Sequence, residues 1–505
     1  MYGIRALGLG LLLAATAWAG DYYVDATTGS NLSGDGSRLR PWKTLTHTLG
    51  QLPLPSPAGG LCVHILPGFH ESRMGEQFPL TIPAGVALVG AGPEQSVIYG
   101  DGKVGEALLE FAAGTDLRNV LSGLGLHGGD PAVRVSAAVG SGPGPVVRDC
   151  CLSWNLGAIV LEGTSPGARE PLVEQCAIQS NTNVGVRLEA AAADRLGGRI
   201  RACRFDANGG AAIELQASTG EILTVIESCA LMDTGGDGVR FLAGATSQPL
   251  FTHLTVRGAA GAGFRFLSGA SAAGLQIRNS IFHGNLAGDL VDVPAPAVTH
   301  CCFLTASGTN PPQAHHNGNL KIDPIFQTPG EPDLSPFSPL IDRAAVSAAL
   351  DPTTDLAGRA RTADGDGDSL HAPDIGALEY VPLREDSPTP MPGGLTSLDL
   401  DLPTNASIPY AIGLSLHDRG IAVAGPRTIP LWPDELLVMV VAGQLPFVTK
   451  FAGSMNASGF ARAHIQWPAN PKLRGLLVYA AAVTIQAGYP GGLRCVTNGL
   501  RLALL

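Results

Sequence analysis

VRDCCL at 147–152, VEQCAI at 173–178, IRACRF at 200–205 and IESCAL at 226–231 are one pattern written four times. Aligning on the shared cysteine extends the register in both directions, through Leu124, Cys150, Cys176, Cys203, Cys229, Leu254, Ser280 and Cys301, at spacings of 26, 26, 27, 26, 25, 26 and 21 residues. Three residues earlier runs an apolar column: Leu121, Val147, Val173, Ile200, Ile226, Phe251, Ile277, Val298. Two residues later runs another: Leu126, Leu152, Ile178, Phe205, Leu231, Val256, Phe282, Phe303. Asn155, Asn181, Asn208 and Asn285 follow five residues after the centre, and then a short alternating strand such as Val133-Arg-Val135 or Val239-Arg-Phe241. Repeats of this length, built from period-2 pieces and Gly/Asn turns without a 3.6 period, specify a solenoid. The reading is a parallel β-helix in which like positions stack about 4.8 Å apart. The Asn column is expected to form a turn ladder, with Asn in the left-handed conformation it tolerates.

With these columns in place, the chain resembles the right-handed, pectin-lyase-like β-helix proteins, and that resemblance supplies the handedness. The opening, YVDATTGSNLSGDGSRLRPWKTLTHTL at 23–49 and then residues 63–92, resembles a bacterial β-helix family of unknown function. LSPFSPLIDRA at 334–344, DLAGRAR at 355–361 and PDIGALEY at 373–380 resemble the closing motif of the choice-of-anchor Q proteins. That last resemblance implies cell-surface or extracellular placement and no activity.

The expected organisation follows the chain. Residues 1–19 read as a signal peptide, with Arg5, an apolar run from Leu7 to Ala15 and Ala17-Trp18-Ala19 as the cleavage site. This predicts a secreted or surface-attached protein beginning at Gly20. Residues 20–60 supply a strand and a capping helix opened by Pro41, with Trp42, Leu45 and Leu49 on one face. Such a cap covers the open end of a solenoid. Residues 61–345 form the β-helix, 346–380 its closing segment, 381–395 a Pro-rich linker, and 396–505 a C-terminal β-sandwich-like domain. Candidate strands of that domain lie at 410–415, 436–441, 461–466 and 476–485. The nine cysteines fit buried, free thiols better than a disulfide framework, because Leu and Ser replace them in other rungs.

The net charge of −11 excludes a general nucleic-acid or anionic-membrane role, and no stretch after the signal reads as a membrane span. The expected partner is a polysaccharide or another cell-envelope component, met by a monomer. Two outward columns carry charge. Arg148, Glu174, Arg201, Glu227, Thr252 and Arg278 alternate in sign and read as structural. Arg134, Val160, Arg187, Glu214, Arg240 and Arg265 place two arginines next to each other, a small cost that suggests an anionic ligand. Arg134, Arg187, Glu214, Arg240 and Arg265 are therefore the candidate ligand-binding residues. Asp364, Asp366 and Asp368, with Asp374 nearby, are candidate calcium ligands, although the spacing is not that of an EF-hand. Asp206, Asp233 and Asp237 sit at rung turns and are the candidate catalytic acids. Gly123-x-Gly125-x-x-Gly128 and Gly163-x-Ser165-x-Gly167 match nucleotide and nucleophile motifs but lie inside rungs, where neither chemistry has its required helix. The leading reading is a binding or scaffolding β-helix protein. A polysaccharide lyase or glycoside hydrolase, and a purely structural envelope protein, are the alternatives.

Overall fold

A computed structural model describes residues 20–53, 59–136, 142–163, 167–191, 194–242, 247–267, 274–361, 363–368, 371–386, 390–424 and 427–505. The expected signal peptide, and Ser369 and Pro388, lie outside the described residues. Three parallel sheets wind round a common core. The first is 13-stranded and runs from Gly20–Val24 to Val298–Thr299; the second and third are 10-stranded, from Gly68–Glu71 to Cys302–Phe303 and from Leu80–Ile82 to Ala306–Ser307.

The repeat maps directly onto this architecture. Leu121, Val147, Val173 and Ile200 stack in register in the first sheet, and Leu126, Leu152, Ile178 and Phe205 in the second. Every member of the three sequence columns except Ser280 belongs to one of the apolar clusters and is buried, and Ser280 is buried as well. Cys150, Cys176, Cys203, Cys229 and Cys301, the cysteines of the column, occupy the bend between the first and second sheets, and all nine cysteines are free. Burial pushes the thiols of Cys150, Cys176 and Cys203 up, and that of Cys301 up to about 12, so they behave as small apolar groups. Towards the C-terminus the core turns aromatic, with Phe251 and Phe282 edge-on to Phe264 at 5.1 and 6.4 Å.

The Asn ladder is present, with its backbone geometry displaced by one residue from expectation. Asn155 Nδ2 donates to Asn181 Oδ1 (3.0 Å), and Asn181 Nδ2 to Asn208 Oδ1 (2.8 Å). The left-handed residue is the one before each Asn: Trp154, Ser180 and Ala207, with φ of 56°, 53° and 49°. The chain turns the corner one residue early, which frees the Asn side chain to point inward and satisfy buried carbonyls such as Leu126 O at 3.0 Å.

The cap helix spans Leu45–Gln51 and does not open at Pro41 as expected. Thr44 is its N-cap, accepting from His47 N, while the buried Glu76 accepts from Leu45 N (2.7 Å) and Thr46 N (2.8 Å). Trp42 precedes the helix, bridges to Val24 and stacks on Tyr22 at 5.6 Å.

Residues 320–380 run back along the solenoid. Arg361, fully buried, donates to Ser228 Oγ (3.1 Å) and Ala377 O (2.8 Å); Ala377 N donates to Thr255 Oγ1 (2.9 Å). Ala377 packs on Ala230 and Met232, outward residues of the second sheet. The C-terminal domain is a sandwich of a 4-stranded and a 5-stranded antiparallel sheet. The expected linker 381–395 instead supplies the strand Leu383–Glu385, whose buried Leu383 belongs to the sandwich core. The apolar run expected to be a strand at 436–441 is a helix, Glu435–Val441, because Asp434 caps it by accepting from Leu437 N at 3.0 Å.

Candidate functional site

The outward face of the second sheet carries the chemistry that no column of charges revealed. Its register runs Glu71, Tyr99, His127, Ser153. Phe69 lies two residues before Glu71 on the same side, and Trp154 turns the corner after Ser153. Together with Ser72, Arg73, Gly100, Asp101, Gly102 and Gly128, Phe69, Glu71, Tyr99 and Trp154 line a groove of about 660 Å³. Phe69, Tyr99 and Trp154 are 61%, 44% and 66% exposed. His127 bridges the aromatic run, 6.2 Å from Tyr99 and 5.2 Å from Trp154 between ring centroids. Its Nδ1 lies 3.0 Å from both Ser153 Oγ and Ser153 O. Burial holds the imidazole below its ordinary value, so it is neutral at neutral pH.

Trp154 is the unexpected residue. Its corner position is left-handed in rung after rung, and Gly128, Ser180, Ala207, Asp233, Gly258 and Gly284 fill it elsewhere with φ between 48° and 76°. A bulky side chain at positive φ is strained, and an indole that packs into no core gains little in return. The glycines have a reason of their own. A Cβ on Gly128 would stand 2.6 Å from Gly100 O, and one on Gly100 equally close to Gly128 O, so the two backbones meet only because neither carries a side chain. The polar rim is Glu71 paired with Arg73, and Asp101, which accepts from Ser72 Oγ (2.7 Å) and faces Lys103 Nζ at 3.6 Å.

The candidate ligand-binding arginines are differently placed. Arg240 and Arg265 were expected to lack an acid between them. Both reach the buried Asp237, Arg240 Nε at 3.1 Å and Arg265 Nε at 3.0 Å. The carboxylate folds back from the turn before the strand, a position invisible to column alignment, and removes the charge repulsion. Arg187 pairs with Glu214 (3.1 Å), Arg240 also reaches Glu214 (3.4 Å), and Arg134 pairs with Glu110 (3.0 Å). This face is a charge ladder, like the first column, where Arg201 Nε meets Glu174 at 2.8 Å.

The candidate catalytic acids divide. Asp237 is committed to two arginines and to Ala262 N (2.7 Å). Asp206, on the second sheet, and Asp233, at the corner one rung on, lie near Arg204, Arg257 and the returning segment's Glu331; partial burial and the Asp206 carboxylate raise Asp233, against the pull of the arginines. Arg204 bonds Asp206 (3.2 Å) and Glu331 (2.7 Å), tying this pair to the returning segment.

Of the candidate calcium ligands, Asp364 and Asp366 converge with Asp342, one oxygen of each lying within 4.8 Å of the others. Asp342 was missed because it precedes the acidic loop by 22 residues. Asp374 instead accepts from Asp342 N (2.8 Å) and Tyr380 N (2.5 Å), and Asp368 N donates to Asp366 Oδ1 (3.0 Å). Burial, reinforced by Asp374, raises Asp342 to about 8, and burial raises Asp374 to about 7. Asp342 is thus held mainly in its protonated form at neutral pH.

With three stacked parallel sheets and a continuous inward apolar stack, the molecule is a right-handed parallel β-helix protein. Two family models match it: one described as a protein of unknown function (DUF1565), over residues 27–121, and one described as a right-handed β-helix region, over residues 140–303. No curated protein matches its sequence. Among solved structures, the full-length tailspike protein 2 from Escherichia coli O157:H7 bacteriophage CAB120 is 11% identical with a TM-score of 0.32; the match covers 91% of this chain and 66% of the tailspike. ORF18 of Geobacillus virus E2 is 11% identical with a TM-score of 0.30, covering 91% of this chain and 73% of that one. The A-module of an Azotobacter vinelandii mannuronan C-5 epimerase is 16% identical with a TM-score of 0.25, covering 48% and 73%. Among the described residues no helix is long and apolar enough to cross a membrane.

Proposed function

We propose that this β-helix binds a glycan in the groove of Phe69, Tyr99 and Trp154. The carrying observation is Trp154: an indole two-thirds exposed, held at a strained corner that other rungs fill with small or polar residues, beside a second exposed ring one rung-pair away. The C–H faces of a pyranose are apolar and stack on Trp and Tyr, while its hydroxyls need the hydrogen-bonding groups that Glu71, Arg73 and Asp101 supply at the rim. Glu71 and Asp101 are matched by Arg73 and Lys103, and a rim without net positive charge suits neutral sugars better than uronates, which shifts the preferred ligand away from the acidic polysaccharides that the arginine column suggested.

The test is affinity electrophoresis of the purified chain in gels containing neutral glucans, mannans and galactans or acidic alginate and polygalacturonate, with product analysis for cleavage. Retardation by a neutral glycan, weakened at least tenfold in Trp154→Ala and Tyr99→Ala and unchanged in Arg240→Ala, is the expected result. Binding that survives both aromatic substitutions would overturn the groove assignment. Cleavage that disappears with Glu71→Gln or Asp101→Asn would make the groove an active site.

A further inference from the structure

The N-terminal edge of the first sheet carries a second constellation, independent of the glycan reading. Strands Gly20–Val24 and Leu61–Ile65 pair in parallel with Asp21 opposite Cys62 and Tyr23 opposite His64. Leu61, Val63 and Ile65 enter the core, so the period of two puts Cys62 and His64 on the outer face. Gly20–Val24 is the edge strand of the sheet, which leaves Asp21 accessible. A carboxylate oxygen of Asp21, the thiol of Cys62 and a ring nitrogen of His64 all lie within 4.8 Å of one another. Asp21 Oδ1 meets His64 Nε2 at 2.9 Å, and the Tyr23 ring stacks on the imidazole at 4.7 Å and 18°, fixing its plane. Cys62 forms a buried floor beneath the partly exposed Asp21 and His64.

We propose that Asp21, Cys62 and His64 bind a divalent transition ion of borderline softness, such as zinc, with a fourth position open to solvent. Sulfur, nitrogen and oxygen donors of this kind select such an ion over calcium or magnesium, which take oxygen alone. Donors around a four-coordinate zinc lie about 3.3–3.8 Å apart, so side-chain movements of about 1 Å close the set. On binding, the Cys62 S–H bond breaks, its proton goes to solvent, and the sulfur electron pair forms the metal bond. As the Asp21–His64 hydrogen bond breaks, the Nε2–H bond releases its proton to solvent and Nδ1 takes one up, so that the neutral imidazole and the Asp21 carboxylate each bond the metal. Burial first, and then the Asp21 charge, hold the free thiol up at about 12, so the ion competes with a proton and affinity rises with pH. An ordinary surface ion pair of Asp21 and His64 would have no use for a thiol beneath it.

The experiment is titration of the chelator-treated full chain with cobalt(II), which reports geometry and sulfur ligation at once. One ion per chain, with visible bands of a four-coordinate site and a thiolate-to-cobalt charge-transfer band that zinc displaces, is expected. Cys62→Ser loses the charge-transfer band, and Asp21→Asn and His64→Ala each weaken binding at least tenfold. Circular dichroism of each variant checks that the solenoid is intact, and His64→Ala, at a partly exposed position, keeps the test decisive if Cys62→Ser misfolds. Absence of the charge-transfer band, or its persistence in Cys62→Ser and His64→Ala, overturns the proposal. Persistence would place the ion elsewhere, as at Cys495, whose Sγ lies 3.8 Å from Asp364 O.

Discussion

The second sheet has one repeat and two fates. In its first rungs the outward positions Phe69 and Tyr99 face solvent beside the partly buried Glu71, with Trp154 at the corner. In its later rungs the equivalent face is covered by the returning segment: Ala230 and Met232 lie under Ala377, Ile281 joins Leu340, Ile341 and Ile375, and Arg257 stacks on Phe326 at 4.5 Å. The covered half carries Ala230, Met232 and Ile281 as part of a second core, and its charged residues Arg204 and Arg257 are held by Glu331 of the returning segment. The open half carries large aromatic residues with nothing packed on them. The proposed glycan site rests on exposed aromatics lying on a face that the protein elsewhere covers, and this contrast separates the groove from the arginine ladder, whose charges are already matched within the chain.

The largest expected effect tests whether the covered half is integral. Arg361 crosses from the returning segment to Ser228, with Glu379 Oε2 3.6 Å from its Nη1 in a fully buried setting. Arg361→Ala removes the buried partner of Glu379 together with the hydrogen bonds to Ser228 Oγ and Ala377 O, and is expected to cost about 3–5 kcal/mol in denaturant unfolding. A change below about 1 kcal/mol would show that the segment lies on the solenoid without supporting it.

A smaller effect is set by pH. His253 is buried under the same segment, with Nδ1 2.9 Å from Thr252 Oγ1, and burial, then Arg361 and Arg278, hold its pKa well below the usual value. The unfolded chain takes up this proton near pH 6.5 and the folded chain does not. The stability that His253 contributes is therefore full above about pH 6.5 and falls as the pH drops below it. Hydrogen exchange measured at about pH 7 and about pH 5, corrected for intrinsic rates, should show the greater loss of protection in 250–257, ahead of 120–154, while Asp342 and Asp374, whose raised values act in the opposite sense, leave 340–344 and 373–375 no less protected at the lower pH. His127 in the open half is also lowered by burial but is less enclosed, so uniform loosening would erase the distinction between the halves.

The smallest effect on stability belongs to Trp154, the residue that carries the proposed glycan binding. Trp154→Gly puts glycine at φ 56°, as Gly128 and Gly258 already are in their rungs. Stability should change by no more than about 0.5 kcal/mol while glycan retention is lost. A large destabilisation would make Trp154 a packing residue and remove the main support for the groove.

Much of this was open to reading in advance. The Leu121 and Leu126 columns, the buried cysteines and the Asn ladder needed only a fixed spacing, because stacking forces like positions to share an environment. The groove was hidden for the same reason in reverse. Glu71, Tyr99 and His127 are 28 residues apart, outside the 26-residue register, and irregular first rungs cannot be aligned without the fold. Asp237 escaped because a turn side chain can fold back across two strands. The 436–441 helix escaped because an apolar run of that length fits either period, and only the Asp434 cap decides it.

By itself, then, the sequence determined the solenoid, its inward stack and its bends, since each follows from local alternation repeated at constant length. Only the tertiary structure decided which outward residues are free. That depends on where residues 320–380 return, on which acid reaches which arginine, and on which of the early rungs bring Phe69, Tyr99 and Trp154 to one groove. Those are contacts between parts of the chain far apart in sequence, and no periodicity encodes them.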